Sequence, residues 1–235
     1  MENYLLQIGI FIFGAIIGSF LNVVILRHGV KSLNGRSECV QCQKKLEWYE
    51  LIPAISFFIQ KGKCHICKNH ISWQYPLVEI VTGTLFLSIF NFQFSMFQFT
   101  VIQFFDLISL WMIFSLLIII FVYDLYHKII PDLWVFLFVI IALSRFFILD
   151  FNGFGVFSTF WAGPILATPF VFLWIVSKGR WLGLGDAKLI IGIGWFLGLV
   201  KGFSAIILGV WAGAFVGLLL VLLSKVISIK RLSFL

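Results

Sequence analysis

Charged residues are scarce in this sequence. They make up 11% of its 235 residues, against about 25% in a typical soluble protein. Hydrophobic residues make up 61%, and 29 residues are phenylalanine. A water-soluble fold of this size could not bury so much apolar surface. The composition therefore excludes a soluble globular protein and predicts a chain that places most of its surface in lipid.

Polar interruptions are also few, and they separate seven apolar segments that are long enough, or nearly so, to cross a membrane as helices. About 20 apolar residues span the hydrocarbon core. The segments lie at 4–26, 76–97, 101–123, 130–149, 157–177, 187–201 and 203–224. We expect the sixth to be short, tilted or broken at its glycines. The first lacks a basic start and a cleavage site, so we expect a retained helix rather than a signal peptide.

Acidic residues are outnumbered by basic ones, 10 to 17. All the Lys and Arg residues except Arg145 and Lys201 fall in or beside alternate polar segments, 27–75, 124–129, 178–186 and 225–235. This is the positive-inside pattern, which places the N-terminus outside and the C-terminus in the cytoplasm. Because topology accounts for the positive charge, we do not expect nucleic-acid binding.

Cysteine is missing from every apolar segment. All four cysteines lie in the polar segment 27–75, as two Cys-x-x-Cys pairs: Cys39, Cys42, Cys64 and Cys67. Two such pairs supply the four thiolates of a tetrahedral zinc site. Disulfides are the alternative, disfavoured in a reducing cytoplasm. His65 and His70 are further candidate ligands that a complete set of cysteines makes unnecessary. We predict a structural zinc-ribbon-like insert, since so short a segment has little core of its own.

Carboxylates at membrane depth are few, and each is a functional candidate because an ionisable group is costly there. They are Glu79, Asp106, Asp124, Asp132 and Asp186. Asp124 ends the third apolar segment and Asp186 opens the sixth. Two spans lie between them, so both return to the same membrane face. We therefore expect these two carboxylates to meet near the cytoplasmic interface.

Two carboxylates that share a site cannot both ionise cheaply, so one stays protonated while the other acts as a base toward water. This is the chemistry of aspartic proteases. Gly183 and Gly185 would permit a positive φ or a close approach of substrate backbone beside Asp186. A helix N-cap is the alternative role for Asp186, and it is the favoured role for Asp132.

Two other carboxylates have simpler expected roles. Asp106 is expected to be solvated near the outer interface. Glu79, which follows Pro76, is expected either to pair with a basic residue of the insert or to line the site.

Glycines recur four residues apart in the first and last apolar segments, a spacing that lets helix backbones approach closely. They are Gly14 and Gly18 in the first segment and Gly209, Gly213 and Gly217 in the last. We expect them to pack helices within the bundle. A homo-oligomer joined through them remains an alternative.

Five motifs, in order along the chain, resemble those of the type IV prepilin peptidases, the Gly-x-Gly-Asp membrane aspartyl proteases. They are Gly18-Ser19-Phe20-Leu21-Asn22-Val23-Val24 with Arg27, the paired Cys-x-x-Cys insert, Tyr75-Pro76-Leu77-Val78-Glu79, the Asp124…His127…Ile130-Pro131-Asp132 segment, and Gly183-Leu184-Gly185-Asp186-Ala187-Lys188. The resemblance implies that Asp124 and Asp186 form the catalytic dyad. The residues it implies in support are Glu79, Gly183, Gly185 and Lys188.

The family resemblance also implies a substrate and a second activity. Members remove a short basic leader from type IV prepilins or type II secretion pseudopilins, and many then N-methylate the new terminus with S-adenosylmethionine. A Gly-x-Gly-x-x-Gly loop after a strand is absent from the sequence, so no conventional nucleotide-binding fold is predicted for that cofactor.

The expected architecture is an all-α polytopic protein of the bacterial cytoplasmic membrane. It comprises a first transmembrane helix (1–26), a cytoplasmic four-cysteine insert (27–75) and a catalytic helical bundle (76–235). One alternative function is a proton- or cation-coupled transporter with a zinc-stabilised cytoplasmic domain. Another is a non-catalytic membrane scaffold that uses the insert for docking.

Overall fold

The structure is a computed structural model, and it describes residues 2–29, 32–94, 100–149 and 156–226. Within these ranges the chain is nearly all helical and forms no strand, which confirms the predicted all-α class. The helices are α1 (Glu2–Arg27), α2 (Ile55–Ile59), α3 (Gln74–Phe94), α4 (Val101–His127), α5 (Asp132–Leu149), α6 (Val156–Ser177) and α7 (Leu184–Val226), with a short 3-10 turn at Trp48–Leu51.

Five of the described helices are long and apolar enough to cross a membrane by length and composition. They are α1, α3, α4, α6 and α7. The helix α5 has 18 residues, corresponds to the fourth apolar segment predicted and is not among these five. The sixth and seventh predicted segments both lie in α7, which consists of two helical stretches that meet in a kink at Gly198, whose φ of 75° and ψ of 179° are not helical. The expected break at a glycine is thus found near the end of the sixth segment.

Some predicted features fall outside the described residues. These are Lys31, the last residues of the second apolar segment (95–97), and the residues of the predicted cytoplasmic C-terminal segment from 227 onward. The predicted orientation of the termini stays a prediction.

The chain divides into two compact units, Met1–Arg145 and Phe146–Leu235. In the first unit α1 packs closely on α3 because glycine faces the contact. A Cβ on Gly14 would lie 2.8 Å from the Cβ of Phe86, and one on Gly18 would lie 2.8 Å from the Cα of Glu79. For this pair of glycines, the prediction of helix packing is confirmed.

An aromatic contact joins α4 to the same pair of helices. The rings of Phe86 and Trp111 stack with centroids 4.8 Å apart, and Phe13 of α1 lies against both. The Trp111 indole N–H also donates to the Phe86 carbonyl at 3.2 Å. This hydrogen bond gives the indole N–H a partner inside the bundle, which a buried polar group needs where no water can reach it.

Asp106 is paired, and the expectation that it is only solvated is wrong. Its carboxylate accepts a hydrogen bond from Nε of Arg145 on α5 at 2.7 Å and another from the Gln93 amide of α3. This pairing also accounts for one of the two basic residues that depart from the positive-inside pattern, because Arg145 is neutralised by Asp106.

In the second unit, α6 and α7 approach at Gly163 and Gly194, where a Cβ on Gly194 would lie 2.5 Å from the Cα of Gly163. Pro164 lies inside α6 and has no N–H to offer the Phe160 carbonyl. The Trp195 indole of α7 donates to that carbonyl at 2.8 Å. Because Pro164 leaves the Phe160 carbonyl without its helical donor, this carbonyl can accept the Trp195 N–H, and the hydrogen bond links α6 to α7.

The glycine stripe of the last apolar segment behaves differently from that of the first. A Cβ on Gly209, Gly213 or Gly217 would meet no described atom within 4 Å. No helix of the second unit packs on this stripe, and its packing against the rest of the bundle stays a prediction.

Candidate active site and metal centre

The two Cys-x-x-Cys pairs fold into equivalent knuckles 25 residues apart. In the first, the Cys39 N–H donates to the Lys44 carbonyl and the Gln43 N–H to the Cys39 carbonyl. In the second, the Cys64 N–H donates to the Asn69 carbonyl and the Lys68 N–H to the Cys64 carbonyl. Gln43 and Lys68 hold matching left-handed conformations, with φ of 54° and 57°. The repeat turns both pairs of thiols toward one point.

The four thiols have the geometry of a metal site. All four sulfurs lie within 4.8 Å of one another, with Cys39 to Cys67 at 3.9 Å and Cys42 to Cys64 at 4.0 Å. In a tetrahedral site with metal–sulfur bonds of about 2.3 Å, neighbouring sulfurs are about 3.8 Å apart. A disulfide needs sulfurs about 2.05 Å apart, and all four cysteines are free. The cluster contains neither His65 nor His70.

The knuckle backbone favours a thiolate at Cys64. The N–H groups of Cys67 and Ile66 point at its sulfur and lower the pKa of Cys64 to about 6. At Cys67 the N–H of Asn69 also favours the thiolate, but desolvation and the neighbouring thiols outweigh it and raise the pKa of Cys67 to about 11. Crowded thiolates repel one another, and a bound cation relieves that repulsion.

An ion pair supports the first knuckle. The buried Glu50 carboxylate, on the 3-10 turn, accepts hydrogen bonds from Lys44 Nζ at 3.1 Å and from the Glu47 N–H at 2.9 Å. Burial alone would raise the pKa of Glu50, but the Glu47 N–H and the Lys44 ammonium lower it below its usual value. The pairing raises the pKa of Lys44.

The N-terminal motif builds a polar contact between α1 and α3 that the sequence reasoning did not identify. Asn22 is fully buried, donates to the Tyr75 carbonyl at 3.2 Å and accepts from the Gln74 amide at 3.4 Å. A polar side chain in the middle of an apolar run was the available signal, because such a group must find partners inside the bundle.

Glu79 connects this helix pair to the insert. Its buried carboxylate accepts the backbone N–H of Ala54 at 2.7 Å and the hydroxyl of Ser19. The expected pairing with the insert is therefore made through a backbone N–H, whereas the prediction had named a basic side chain. Its role beside the reacting groups stays a prediction.

Arg27 organises the chain that leaves α1. Its guanidinium donates to the carbonyls of five consecutive residues, Ser32, Leu33, Asn34, Gly35 and Arg36, at 2.9 to 3.4 Å. From the sequence, Arg27 was predicted only to mark the cytoplasmic end of the first span and to belong to a motif. A planar group with five donors suits such a cradle.

Asp124 lies one turn before the C-terminal end of α4, and its side chain is exposed. Lys128 ends the helix in a left-handed conformation, and its N–H donates to the Asp124 carbonyl at 2.7 Å. The neighbouring Tyr123 ring stacks on His127 at 4.1 Å and meets the His28 ring edge-on at 5.1 Å. Asp132 is the first residue of α5 and so lies at a helix start, one position inside the N-cap predicted for it.

Asp186 is the third residue of α7 and is half-buried. Its Oδ2 would lie 3.5 Å from a Cβ built on Gly183, an ordinary van der Waals distance that places Gly183 directly beside the carboxylate. Neither Gly183 nor Gly185 is among the described residues with a positive φ. Of the two expected uses of these glycines, the positive φ is therefore wrong. Lys188 follows in the same turn.

The two aspartates lie in different compact units, Asp124 in the first and Asp186 in the second. Each lies near a helix end, as predicted. Their meeting at one site stays a prediction.

Comparison with known proteins supplies the relationship. A sequence model of the bacterial peptidase A24 N-terminal domain matches residues 12–92, and that of the type IV leader peptidase family matches residues 111–223. A prepilin leader peptidase/N-methyltransferase of Bacillus subtilis is 32% identical over 96% of this chain and 87% of its own length. The chain belongs to the type IV leader peptidase family. With its apolar helices, this membership makes it an integral inner-membrane protein.

Other family members align over smaller parts. The prepilin leader peptidase/N-methyltransferase of Myxococcus xanthus is 31% identical over 93% of this chain and 64% of its own length. That of Klebsiella pneumoniae is 37% identical over 33% of this chain and 38% of its own length. No solved structure matches the chain. The first family match covers the insert with its flanking helices, and the second covers both aspartates.

Proposed function

We propose that this protein is an intramembrane aspartyl endopeptidase that removes the short basic leader of type IV prepilins or pseudopilins. The observation that carries the proposal is the alignment with the Bacillus subtilis prepilin leader peptidase/N-methyltransferase, which spans 87% of that relative. Asp124 at the end of α4 and Asp186 in the Gly-x-Gly-Asp motif at the start of α7 are the proposed dyad.

In the proposed mechanism one aspartate is ionised and the other protonated, because two adjacent carboxylates cannot both ionise cheaply. The ionised carboxylate takes a proton from a water molecule as the oxygen of that water attacks the scissile carbonyl carbon. The protonated carboxyl donates its proton to the carbonyl oxygen. Collapse of the tetrahedral intermediate returns that proton and breaks the C–N bond, and the departing amine takes the proton first removed from water. The two carboxylates thus end with the one proton they began with.

The proposed topology matches this substrate. A basic leader stays on the cytoplasmic side, so its junction with the following apolar helix lies at the inner interface. With the N-terminus outside and with both α5 and α6 crossing the membrane, Asp124 and Asp186 both reach that interface. The leader can then be cleaved at the inner interface without crossing the bilayer.

The metal proposed for the cysteine cluster is Zn²⁺, held by Cys39, Cys42, Cys64 and Cys67. The thiol set and its spacing fit a closed tetrahedral site, which leaves no open position for a reacting group. The zinc would therefore supply folding energy to the insert.

N-methylation of the new N-terminus is the proposed second activity, since the relatives carry that activity in their names. S-adenosylmethionine would supply the methyl group. The described residues contain no strand followed by a glycine-rich loop, so a dinucleotide-type fold does not fit.

The test is co-expression with a prepilin and observation of leader removal on a gel. We expect Asp124→Asn and Asp186→Asn each to abolish cleavage while the protein still inserts in the membrane. Asp132→Asn is the matched control, because Asp132 is a nearby carboxylate in the same segment. It lies at the start of α5, where its predicted role is to cap the helix, so this variant should cleave normally. Cleavage by either dyad variant would refute the assignment.

The similarity to prepilin peptidases favours the peptidase over the proton- or cation-coupled transporter and over a scaffold. Neither alternative accounts for two aspartates placed in the family's motifs.

A further inference from the structure

The short helix α2 presents an apolar face that the rest of the first unit leaves largely uncovered. Ile55, Phe58 and Ile59 are 57%, 56% and 75% exposed. Their spacing of three and four residues places them on one side of the helix. The adjacent Phe57 is only 7% exposed and packs on the Trp73 ring at 4.8 Å. The helix is therefore amphipathic, with the insert on one side and an uncovered apolar surface on the other.

The attachment of α2 to α3 fixes its depth. The candidate span Gln74–Gln93 has 20 residues, about 30 Å as a helix, which equals the thickness of the hydrocarbon core. Glu79 lies five residues into that span, about 7.5 Å from its start. The N–H of Ala54, which immediately precedes α2, donates to the Glu79 carboxylate at 2.7 Å. A membrane boundary at Gln74, the start of the candidate span, would therefore place the start of α2 about 7.5 Å inside it.

The other end of α2 lies near that boundary. Phe57 and Phe58 both contact Trp73, the residue that precedes α3. The helix thus runs beside the first turns of α3, from the level of Glu79 outward to the level of Trp73. An aromatic ring at this position is typical of the membrane interface.

We propose that α2 is a lipid-immersed anchor of the insert, with Ile55, Phe58 and Ile59 in the boundary between headgroups and acyl chains. On α3 at the same depth, Leu77, Ile80 and Val81 are also exposed and apolar. A lipid-immersed α2 would add to the lipid-facing surface that these residues of α3 present.

Charge complements this arrangement. Lys61 and Lys63 directly follow α2, and Lys61 is exposed. An anchor that leaves the acyl region at this point places both ammonium groups among the headgroups, where anionic lipids attract them. The inference needs only the membrane spans and the insert, and it does not rest on the proposed catalytic function.

The test is photo-crosslinking of the full-length protein in vesicles of phosphatidylglycerol and phosphatidylethanolamine, without substrate. A p-benzoyl-phenylalanine is placed at Phe58 or Ile59 and lipid adducts are counted by intact mass. The same probe at Leu77 of α3, which lies on a spanning helix, is the positive control. The probe at Val40, 76% exposed on the first knuckle, reports the yield that exposure alone produces.

We expect adduct yields at positions 58 and 59 that approach that at 77 and exceed that at 40 several-fold. Each probe-bearing protein must keep the thermal midpoint of the unsubstituted protein, and two independent positions on α2 guard against local disruption. Yields at 58 and 59 no higher than at 40 would overturn the inference. Adducts to a second copy of the chain in place of lipid would also overturn it, in favour of an interface between copies.

Discussion

Ala54 occupies a conformation that residues with side chains rarely adopt, with φ of 56° and ψ of −47°. The Ile55 N–H donates to the Pro53 carbonyl at 2.6 Å, so the three residues form a γ-turn of the rare, positive-φ kind. Strained turns persist where the surroundings over-determine them. Here the turn directs the Ala54 N–H to Glu79, and this buried carboxylate gains a donor that the apolar span does not provide.

A glycine at this position should relieve the strain and keep the N–H. We expect Ala54→Gly to stabilise the protein by up to about 1 kcal/mol, since a positive φ costs glycine little. Thermal unfolding of the purified protein measures this. The control is Ala214→Gly, at an exposed position in the middle of α7, where the same change should destabilise by about 1 kcal/mol. A loss of stability at both positions would contradict the account of the turn.

The Glu50–Lys44 pair predicts a pH dependence of the insert. The folded protein lowers the pKa of Glu50, so its contribution to stability is present above the usual carboxyl range and is lost as pH falls through the lowered value. The folded protein also raises the pKa of Lys44, so the ion pair keeps its stabilising contribution at high pH until the pH rises through that raised value.

We therefore expect Glu50→Gln to lower the thermal midpoint at pH 7 by a few degrees, because the buried acceptor of two donors is weakened. The difference from the parent should begin to shrink as pH falls below about 4.5, where Glu50 of the unfolded chain takes up a proton, and should go on shrinking as pH falls through the lowered pKa of the folded protein. Thermal scans of both proteins across pH measure it. A difference that stays constant down to acid pH would refute the pairing.

At the scale of elements, the same glycine spacing has two different consequences. The stripe in α1 meets α3 at backbone distance, whereas the stripe in the second half of α7 faces open space among the described residues. Spacing alone could not separate these cases, because both lie in equally apolar helices. The difference depends on which helix lies opposite, and that is a property of tertiary structure.

This contrast supplies a matched pair of substitutions. Gly14→Leu should destabilise by about 1–3 kcal/mol, because its side chain would enter the contact with Phe86 and Gly83. Gly213→Leu should change stability by less than about 0.5 kcal/mol. Thermal midpoints in detergent compare them. Equal destabilisation by both would show that the stripe in α7 is packed, as it would be in a homo-oligomer.

The folding of the four-cysteine insert is expected to depend on a bound metal ion. We expect one zinc per chain by elemental analysis, and loss of that zinc in the double variant Cys39→Ser/Cys64→Ser, which removes one thiol from each knuckle. The control Asn69→Ser changes a neighbouring exposed residue and should keep the metal. Zinc retained in the double variant would exclude the four-cysteine site.

At the scale of the whole molecule, hydropathy and charge were sufficient to predict an all-helical membrane protein with a polar insert. The thiol cluster also followed from sequence, because two Cys-x-x-Cys pairs have few other uses. The position of the break between the last two apolar segments was not foreseen, because these segments contain several glycines and only Gly198 has non-helical φ and ψ. The contact between Glu79 and the Ala54 N–H carries no side-chain signature and could only be found in three dimensions.

Membership of the type IV leader peptidase family gives the whole chain its proposed role, with cleavage at the membrane surface by Asp124 and Asp186. The most direct test is the intact mass of a prepilin incubated with the purified protein in vesicles. We predict a product that lacks the leader and begins at its apolar helix, and unchanged prepilin with Asp124→Asn or Asp186→Asn. A further gain of one methyl group would establish the second activity. Leader removal that persists without either aspartate, or uncleaved prepilin with the parent protein, would contradict the account.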